Sequence, residues 1–277
     1  MNKFLTLFLS IVLVSNVAFA QDYACPNTYV LNPRVSRFIS KSSGSNFIHT
    51  KILEHVLERQ AKREFDGDFD VEIKSFGGKD LKEGKFKSLN ATGKNIKIDN
   101  FLIDKVSINS LCEFNQFKKN NDGKYEFITD FPADITFMFS SENLNKIIEM
   151  PEFQNRLAKI NSQLNGFMNI KDIKFDIKND KLIYDINYTL PFAPNEQKIS
   201  VSSDMMFFNN TVYNQSESSN NKSVILNFLK MTNALNYINP LDFSTKFLQN
   251  NNIATTLKNV YVKNDKVIVE ALLIITR

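Results

Sequence analysis

The sequence predicts an α+β fold in which antiparallel strands joined by tight hairpins make up most of one domain. The segment 66–73 alternates apolar and acidic residues, which is the period-two pattern of a strand with one buried face. Asp99-Asn100 and Asp122-Gly123 separate alternating segments, and such pairs readily adopt the backbone angles of a hairpin. A few longer segments have the apolar spacing of amphipathic helices.

The first 20 residues have the features of a secretory signal peptide. An apolar core follows a lysine, and Ala18 and Ala20 form a small-x-small cleavage site. The core is shorter than the ~20 residues of a membrane span, so an uncleaved anchor is the weaker alternative. We therefore divide the chain into a signal peptide at 1–20, an N-terminal extension at 21–44 and a domain at 45–277. An exported protein of the periplasm or cell envelope, or a secreted one, is expected.

The charge balance does not predict nucleic-acid binding. The chain has 34 Lys and Arg against 30 Asp and Glu, a net charge of +4. The charges are interspersed, which favours an ordinary solvated surface. The small positive excess would suit anionic lipid headgroups.

Two cysteines, Cys25 and Cys112, are too far apart in sequence for a metal knuckle. Their even number in an exported protein suggests one disulfide, with two separate thiols as the alternative. The bond would join the N-terminal extension to the end of the third strand.

The first helix of the domain begins at Ser45 or Asn46, either of which can cap it. Its apolar residues share one helical face, which we expect to lie on the sheet: Ile48, Ile52, Leu53, Val56 and Leu57. The face expected to meet solvent carries Lys51, Glu54, Glu58, Arg59 and Lys62.

Strands follow this helix. The segments 86–98 and 101–111 are predicted to continue from 66–73 as a β-meander, with a bulge near Gly93 where the alternation changes parity. Beyond it, the predicted strands are one that ends near Phe117, one at 125–128 and one at 135–139.

The second half of the chain begins with two predicted helices. Ser140 can cap the first, which begins at Ser141, and Pro151 suits the first turn of the second. The remaining elements are predicted as strands at 173–177, 182–190 and 199–208, a polar loop at 214–223, a helix at 224–238 and a final hairpin.

A short internal repeat supports the hairpin architecture. Residues 177–185, IKNDKLIYD, align without gaps on 262–270, VKNDKVIVE. Both copies read as strand, polar turn and strand.

Two sequence blocks carry a family resemblance. GKFKSL at 84–89 leads into NIKI at 95–98, and FSSENLN at 139–145 has an acidic residue before Leu-Asn at a strand-to-helix step. Together with the helix after the signal and the acidic strand, these blocks resemble the LmeA family of phospholipid-binding bacterial envelope proteins, whose fold is similar to that of the TULIP lipid-binding proteins. The similarity extends over about residues 45–275. The extension at 26–44, the cysteine pair and the polar loop depart from the family pattern.

The resemblance implies a TULIP-like fold, a long curved antiparallel β-sheet wrapped around amphipathic helices, with an apolar groove for acyl chains. It implies a non-catalytic protein that binds phospholipid or a related amphiphile, for lipid transfer or envelope maintenance, with peripheral membrane contact and no cofactor. The expected lipid-binding residues flank the strand-to-helix step: Phe137, Phe139, Leu144, Ile147, Ile148, Phe153 and Leu157.

No metal site is predicted. Asp66, Asp68 and Asp70 have the spacing of a calcium loop, but Val71 stands where such a loop needs glycine and Gly77 where it needs glutamate.

No catalytic residues are predicted either. The two histidines, His49 and His55, are six residues apart on one helix and cannot form the i, i+4 pair that binds zinc. A hydrolase would have to recruit one of them, and the chain has no G-x-S-x-G nucleophile motif.

Two other classes of function remain open beside lipid binding. An envelope hydrolase would show turnover that depends on His49 or His55. A structural or adhesive envelope protein would have no internal groove and would carry no lipid.

Overall fold

The computed structural model describes residues 25, 29–42, 45–98, 101–164, 166–208, 211–218, 238–241 and 253–275. The predicted signal peptide, the hairpin pair 99–100 and the predicted helix at 224–238, apart from its last residue, lie outside these residues.

Five helices are described within these ranges. They are α1 (Arg34–Ser42), α2 (Ser45–Glu64), α3 (Gly78–Lys82), α4 (Ser141–Ile148) and α5 (Pro151–Gln163). None of them is long and apolar enough to cross a membrane.

The strands up to α4 are β1 (Asp66–Lys74), β2 (Lys85–Phe86), β3 (Ser88–Ile98), β4 (Phe101–Ser110), β5 (Asn115–Lys119), β6 (Tyr125–Phe127) and β7 (Phe131–Phe139). The strands after α5 are β8 (Asn169–Lys178), β9 (Lys181–Leu190), β10 (Ala193–Phe208), β11 (Thr211–Ser218), β12 (Ile253–Lys263) and β13 (Lys266–Ile275).

Every strand pair is antiparallel, which confirms the α+β prediction of a fold built from hairpins. The six-stranded sheet has the order β1-β3-β4-β7-β13-β12, and the four-stranded sheet has the order β11-β10-β9-β8. A three-stranded sheet has the order β2-β5-β6. The described strands therefore form three sheets, where a single long sheet was expected.

The internal repeat forms two hairpins with the same turn. Asn179 and Asp180 have φ angles of 53° and 56°, and Asn264 and Asp265 have φ angles of 52° and 55°. Two consecutive positive φ angles define a type I′ turn, whose twist matches that of the flanking strands. The predicted hairpins β8–β9 and β12–β13 are confirmed.

Polar side chains begin α4 and fix both α4 and α5 against β8. Ser140 accepts a hydrogen bond from the backbone N–H of Asn143 at 3.3 Å, as the capping prediction requires. The side-chain amide of Asn145 accepts a hydrogen bond from the backbone N–H of Phe175 at 2.8 Å and donates one to its carbonyl at 2.7 Å. The amide of Asn161 bonds the same two groups of Ile170, at 2.8 and 2.9 Å.

The predicted bulge lies two residues beyond Gly93. Asp66 pairs with Lys97 and Asp68 pairs with Lys94, so β3 has one more residue than β1 between these pairs. Asn95, within this interval, has a φ of 52°. Gly93 has a different role, because a Cβ there would lie 2.9 Å from Cε1 of Phe69. The glycine allows the Phe69 ring to approach the β3 backbone.

One prediction for an irregular segment was wrong. The polar run predicted as a loop from residue 214 belongs in part to β11, which pairs with β10 from Phe208↔Thr211 to Val201↔Ser218. Strand pairing uses backbone groups, so polar residues can form an edge strand. The N-terminal extension, for which no element was predicted, contains α1.

The segment before α1 is fixed to the body of the protein by covalent and polar contacts. The predicted disulfide between Cys25 and Cys112 is present, with Cα atoms 5.6 Å apart. The Tyr29 hydroxyl donates to the carbonyls of Asn115 and Phe86, at 2.8 and 3.2 Å. Burial raises the pKa of Tyr29 well above its ordinary value, so the hydroxyl remains protonated and able to donate.

Replacing both cysteines by serine (Cys25→Ser, Cys112→Ser) is expected to destabilise the protein. The disulfide spans a sequence separation of 87 residues, for which the chain-entropy model gives a loss of at most about 4 to 5 kcal/mol in the free energy of unfolding. Urea unfolding with and without reductant measures this loss. Reductant should leave the free energy of unfolding of the double variant unchanged. Free thiols at both positions in the non-reduced protein would contradict the assignment.

Candidate functional site

Helix α2 lies along the outer edge of the six-stranded sheet and accepts hydrogen bonds from its edge strand. The Glu54 carboxylate accepts from the backbone N–H of Ile73 at 2.8 Å, and the Glu58 carboxylate accepts from Val71 at 3.2 Å. These N–H groups belong to β1, which pairs with a strand on one side only. The helix carboxylates therefore satisfy donors that a neighbouring strand would otherwise bind.

The spacing of the two carboxylates matches the spacing of the two amides. Four residues along a helix advance about 6 Å, and two residues along a strand advance about 6.8 Å. Glu54 and Glu58 can therefore reach alternate N–H groups of β1. The amide oxygen of Asn46 accepts from the Ser75 hydroxyl at 2.7 Å and continues the row toward the start of α2.

The predicted inward face of α2 was partly wrong. Leu53 is buried as expected, but Ile48, Ile52 and Val56 are exposed and Glu54 is buried. The edge of the sheet has N–H donors that no strand pairs with. The carboxylates of α2 therefore face this edge, and part of the apolar stripe of the helix faces solvent. Hydrophobic periodicity carries no information about such donors.

A cavity lies between the C-terminal half of α2 and one face of the six-stranded sheet. The β5–β6 hairpin also borders it. The lining is predominantly apolar and comes from elements far apart in the chain, with representative side chains Leu57, Val71, Ile96, Val106, Phe137 and Leu273.

Small residues leave the space open. Ala61 on α2 and Ala91 on β3 line the cavity, and a larger side chain at either position would reduce its volume. Gly93 of β3 also lines it and lets the Phe69 ring approach. The free volume that the centres of water-sized groups can reach is about 150 Å³. One water needs about 10–15 Å³ on this measure, so the cavity holds on the order of ten water-sized groups. A methylene is about as large as a water, so this volume suits one acyl chain.

Most polar lining residues come from α2 and the β5–β6 hairpin. Gln60 and Glu64 lie in the last turns of α2, and Tyr125 and Glu126 lie on β6. Glu64 pairs with Lys124 at 2.6 Å, which ties the end of α2 to the hairpin. These residues are partly exposed and mark a side on which the cavity approaches solvent.

The structure brings one of the seven predicted lipid-binding residues to this cavity. Phe137 lines it. The other six are buried outside its lining: Phe139, Leu144, Ile147, Ile148, Phe153 and Leu157. Phe153, for example, packs edge-on against Phe175 with the ring centroids 6.3 Å apart. Ligand contact by these six residues stays a prediction.

Sequence reasoning missed the contribution of α2 and β3 to the cavity. The available signal was the placement of small residues, Ala91 and Gly93, at strand positions next to large apolar ones. A small inward-facing residue leaves volume, but whether that volume becomes a cavity depends on elements from elsewhere in the chain, here α2 with Ala61.

The residues considered for chemistry lie outside the cavity lining. His55 lies on the exposed side of α2. Its Nε2 is 2.9 Å from Nη2 of Arg59, and its Nδ1 is 3.7 Å from Oε2 of Glu58. Among the described residues, no group of three His, Cys, Asp or Glu is placed to hold a metal ion.

Comparisons of the chain with models of protein families, with curated proteins and with solved structures found no match.

Glu54→Ala is expected to destabilise the fold, because it leaves the buried N–H of Ile73 without its acceptor. The expected loss is about 1–3 kcal/mol in the free energy of unfolding, measured by urea denaturation. Glu54→Gln keeps an acceptor oxygen and should lose less. Glu72→Ala, an exposed change on β1, is the control, and an equal loss there would refute the role of Glu54.

Proposed function

We propose that the protein binds one acyl chain of a phospholipid or related amphiphile, without catalysis, in the cavity between α2 and the six-stranded sheet. The observation that carries the proposal is the cavity itself, which is large enough for a chain and almost entirely apolar. Ligand sites of this type combine an apolar interior with a few polar groups.

Burial of an acyl chain supplies enough free energy for useful binding. Each methylene transferred from water contributes about 0.8 kcal/mol, so ten methylenes would contribute about 8 kcal/mol before the costs of association. No reacting group is needed for this affinity. Selectivity among acyl chains would be loose, because apolar contacts have little directional preference.

The polar side of the cavity is the proposed place of the headgroup. Gln60, Glu64 and Glu126 border the cavity there, and Lys124 lies beside Glu64. A chain inserted from this side keeps its headgroup in water.

We also propose that the six-stranded sheet is curved around the bound chain, as the TULIP-like resemblance implies. The support is a register shift in each of its two edge pairs, between Asp66 and Asp68 and between Leu257 and Asn259. An extra residue in one strand bends the sheet and increases its twist.

Export to the periplasm or cell envelope is part of the proposal. The disulfide supports it, because such bonds persist in oxidising compartments. The LmeA-family resemblance, including the strand-to-helix step at Ser140, remains a proposal about ancestry and supplies no further residue assignment.

Ala61→Phe is expected to fill the cavity and to reduce the amount of bound lipid. Native mass spectrometry with lipid extraction of the purified protein measures the bound fraction. Ala158→Phe is the matched control, because Ala158 is an exposed alanine on helix α5 that does not line the cavity. Both variants should keep the wild-type circular dichroism spectrum.

Wild-type protein that carries no lipid and takes up none from phospholipid vesicles would contradict the proposal. Equal loss of lipid in both alanine variants would contradict the location of the site. Hydrolysis of a lipid substrate that disappears in His49→Ala or His55→Ala would favour the hydrolase alternative instead.

A further inference from the structure

Helix α2 presents a second apolar face, directed away from the cavity and toward solvent. Phe47 is 67% exposed, and Ile48 and Ile52 are each 58% exposed. Val56, 38% exposed, falls on the same side of the helix by its spacing. Isolated exposed apolar residues are common, but Ile48, Ile52 and Val56 are spaced four residues apart and form a row that marks an interaction surface, with Phe47 at its margin.

Helix α1 extends this surface. It packs beside α2, and Arg37 holds it against Gly77, where an added Cβ would lie 3.0 Å from Cγ of Arg37. Val35 and Phe38 of α1 are 71% and 73% exposed. We refer to Val35, Phe38, Phe47, Ile48, Ile52 and Val56, with the basic residues between them, as the outer face.

The charges of the outer face are basic. Its exposed cationic side chains are Arg34, Lys51, Arg59, Lys62 and Arg63. The carboxylates of α2 are directed elsewhere, because Glu54 and Glu58 accept from β1 and Glu64 pairs with Lys124. Lys51 also pairs with Glu54 at 2.7 Å, and Asp70 of β1 lies near it. Glu83 accepts a hydrogen bond from Asn32, just before α1.

We propose that the outer face docks on a membrane surface that contains anionic phospholipid. Apolar side chains among cationic ones, on a helix that lies flat against the protein body, match the interfacial layer of such a membrane: the apolar groups enter the acyl boundary and the cations meet phosphates. The charge of the face therefore selects a lipid surface over an uncharged protein groove. Docking does not require the cavity to be occupied, so it can hold even if the proposed function fails.

The two faces of α2 would then serve different parts of one process. The outer face would hold the protein at the membrane. The opposite face of α2, about 10 Å away across the width of the helix, would line the cavity.

Vesicle flotation of the disulfide-bonded, exported protein tests the proposal. The protein should float with phosphatidylcholine vesicles that contain phosphatidylglycerol, and binding should fall with added salt and with phosphatidylcholine alone. The double variant Ile48→Ser, Ile52→Ser should bind vesicles at least about tenfold more weakly than wild type does. It removes two apolar side chains that would be buried in the membrane.

Phe192→Ser is the control, because Phe192 is a fully exposed aromatic residue in the β9–β10 turn, away from the outer face. It should bind vesicles as wild type does. Ala61→Phe should also bind normally, which separates surface docking from occupation of the cavity.

Absence of wild-type binding to either kind of vesicle would overturn the proposal, as would equal loss in Phe192→Ser and the isoleucine double variant. A concentration-dependent dimer that disappears in the double variant, without vesicle binding, would assign the outer face to a second copy of the chain instead.

Discussion

This structure depends on hydrogen bonds between helix side chains and the backbone groups at the edges of the sheets. β1 and β8 each pair with a strand on one side only. On the other side, Glu54 and Glu58 accept from β1, and Asn145 and Asn161 bond β8. An edge left without such partners would bind water or another chain, and a buried edge would lose stability for each unpaired group. The helices are thus positioned by hydrogen bonding as much as by apolar packing.

This constraint explains both surfaces of α2. Because its carboxylates are fixed to β1 and its last turn is tied to Lys124, the helix is held along the edge of the sheet above small residues of β3. The space between them is the cavity. The same hydrogen bonds take the carboxylates away from solvent, which leaves an outer surface of apolar and basic side chains. One set of contacts therefore produces the proposed binding site and the proposed membrane contact.

Local chemistry made the hairpins and caps predictable, because Asn179-Asp180 and Ser140 act through neighbours in the chain. The orientation of α2 was not predictable, since the donors that attract Glu54 come from a strand whose edge position is a tertiary property. The cavity was not predictable for the same reason. Phe137 could be identified as an inward-facing residue, but whether it meets another side chain or empty space depends on elements from α2 to β13.

Photo-crosslinking can show whether an acyl chain lies between α2 and the six-stranded sheet. A phospholipid with a diazirine on its acyl chain is incorporated, irradiated and mapped by peptide mass spectrometry. Labels are expected in the segments 57–65 and 89–98, which contain lining residues from both walls of the cavity. Labels confined to the exposed residues of α1 and the first turns of α2, or to β8 and β9, would contradict this expectation.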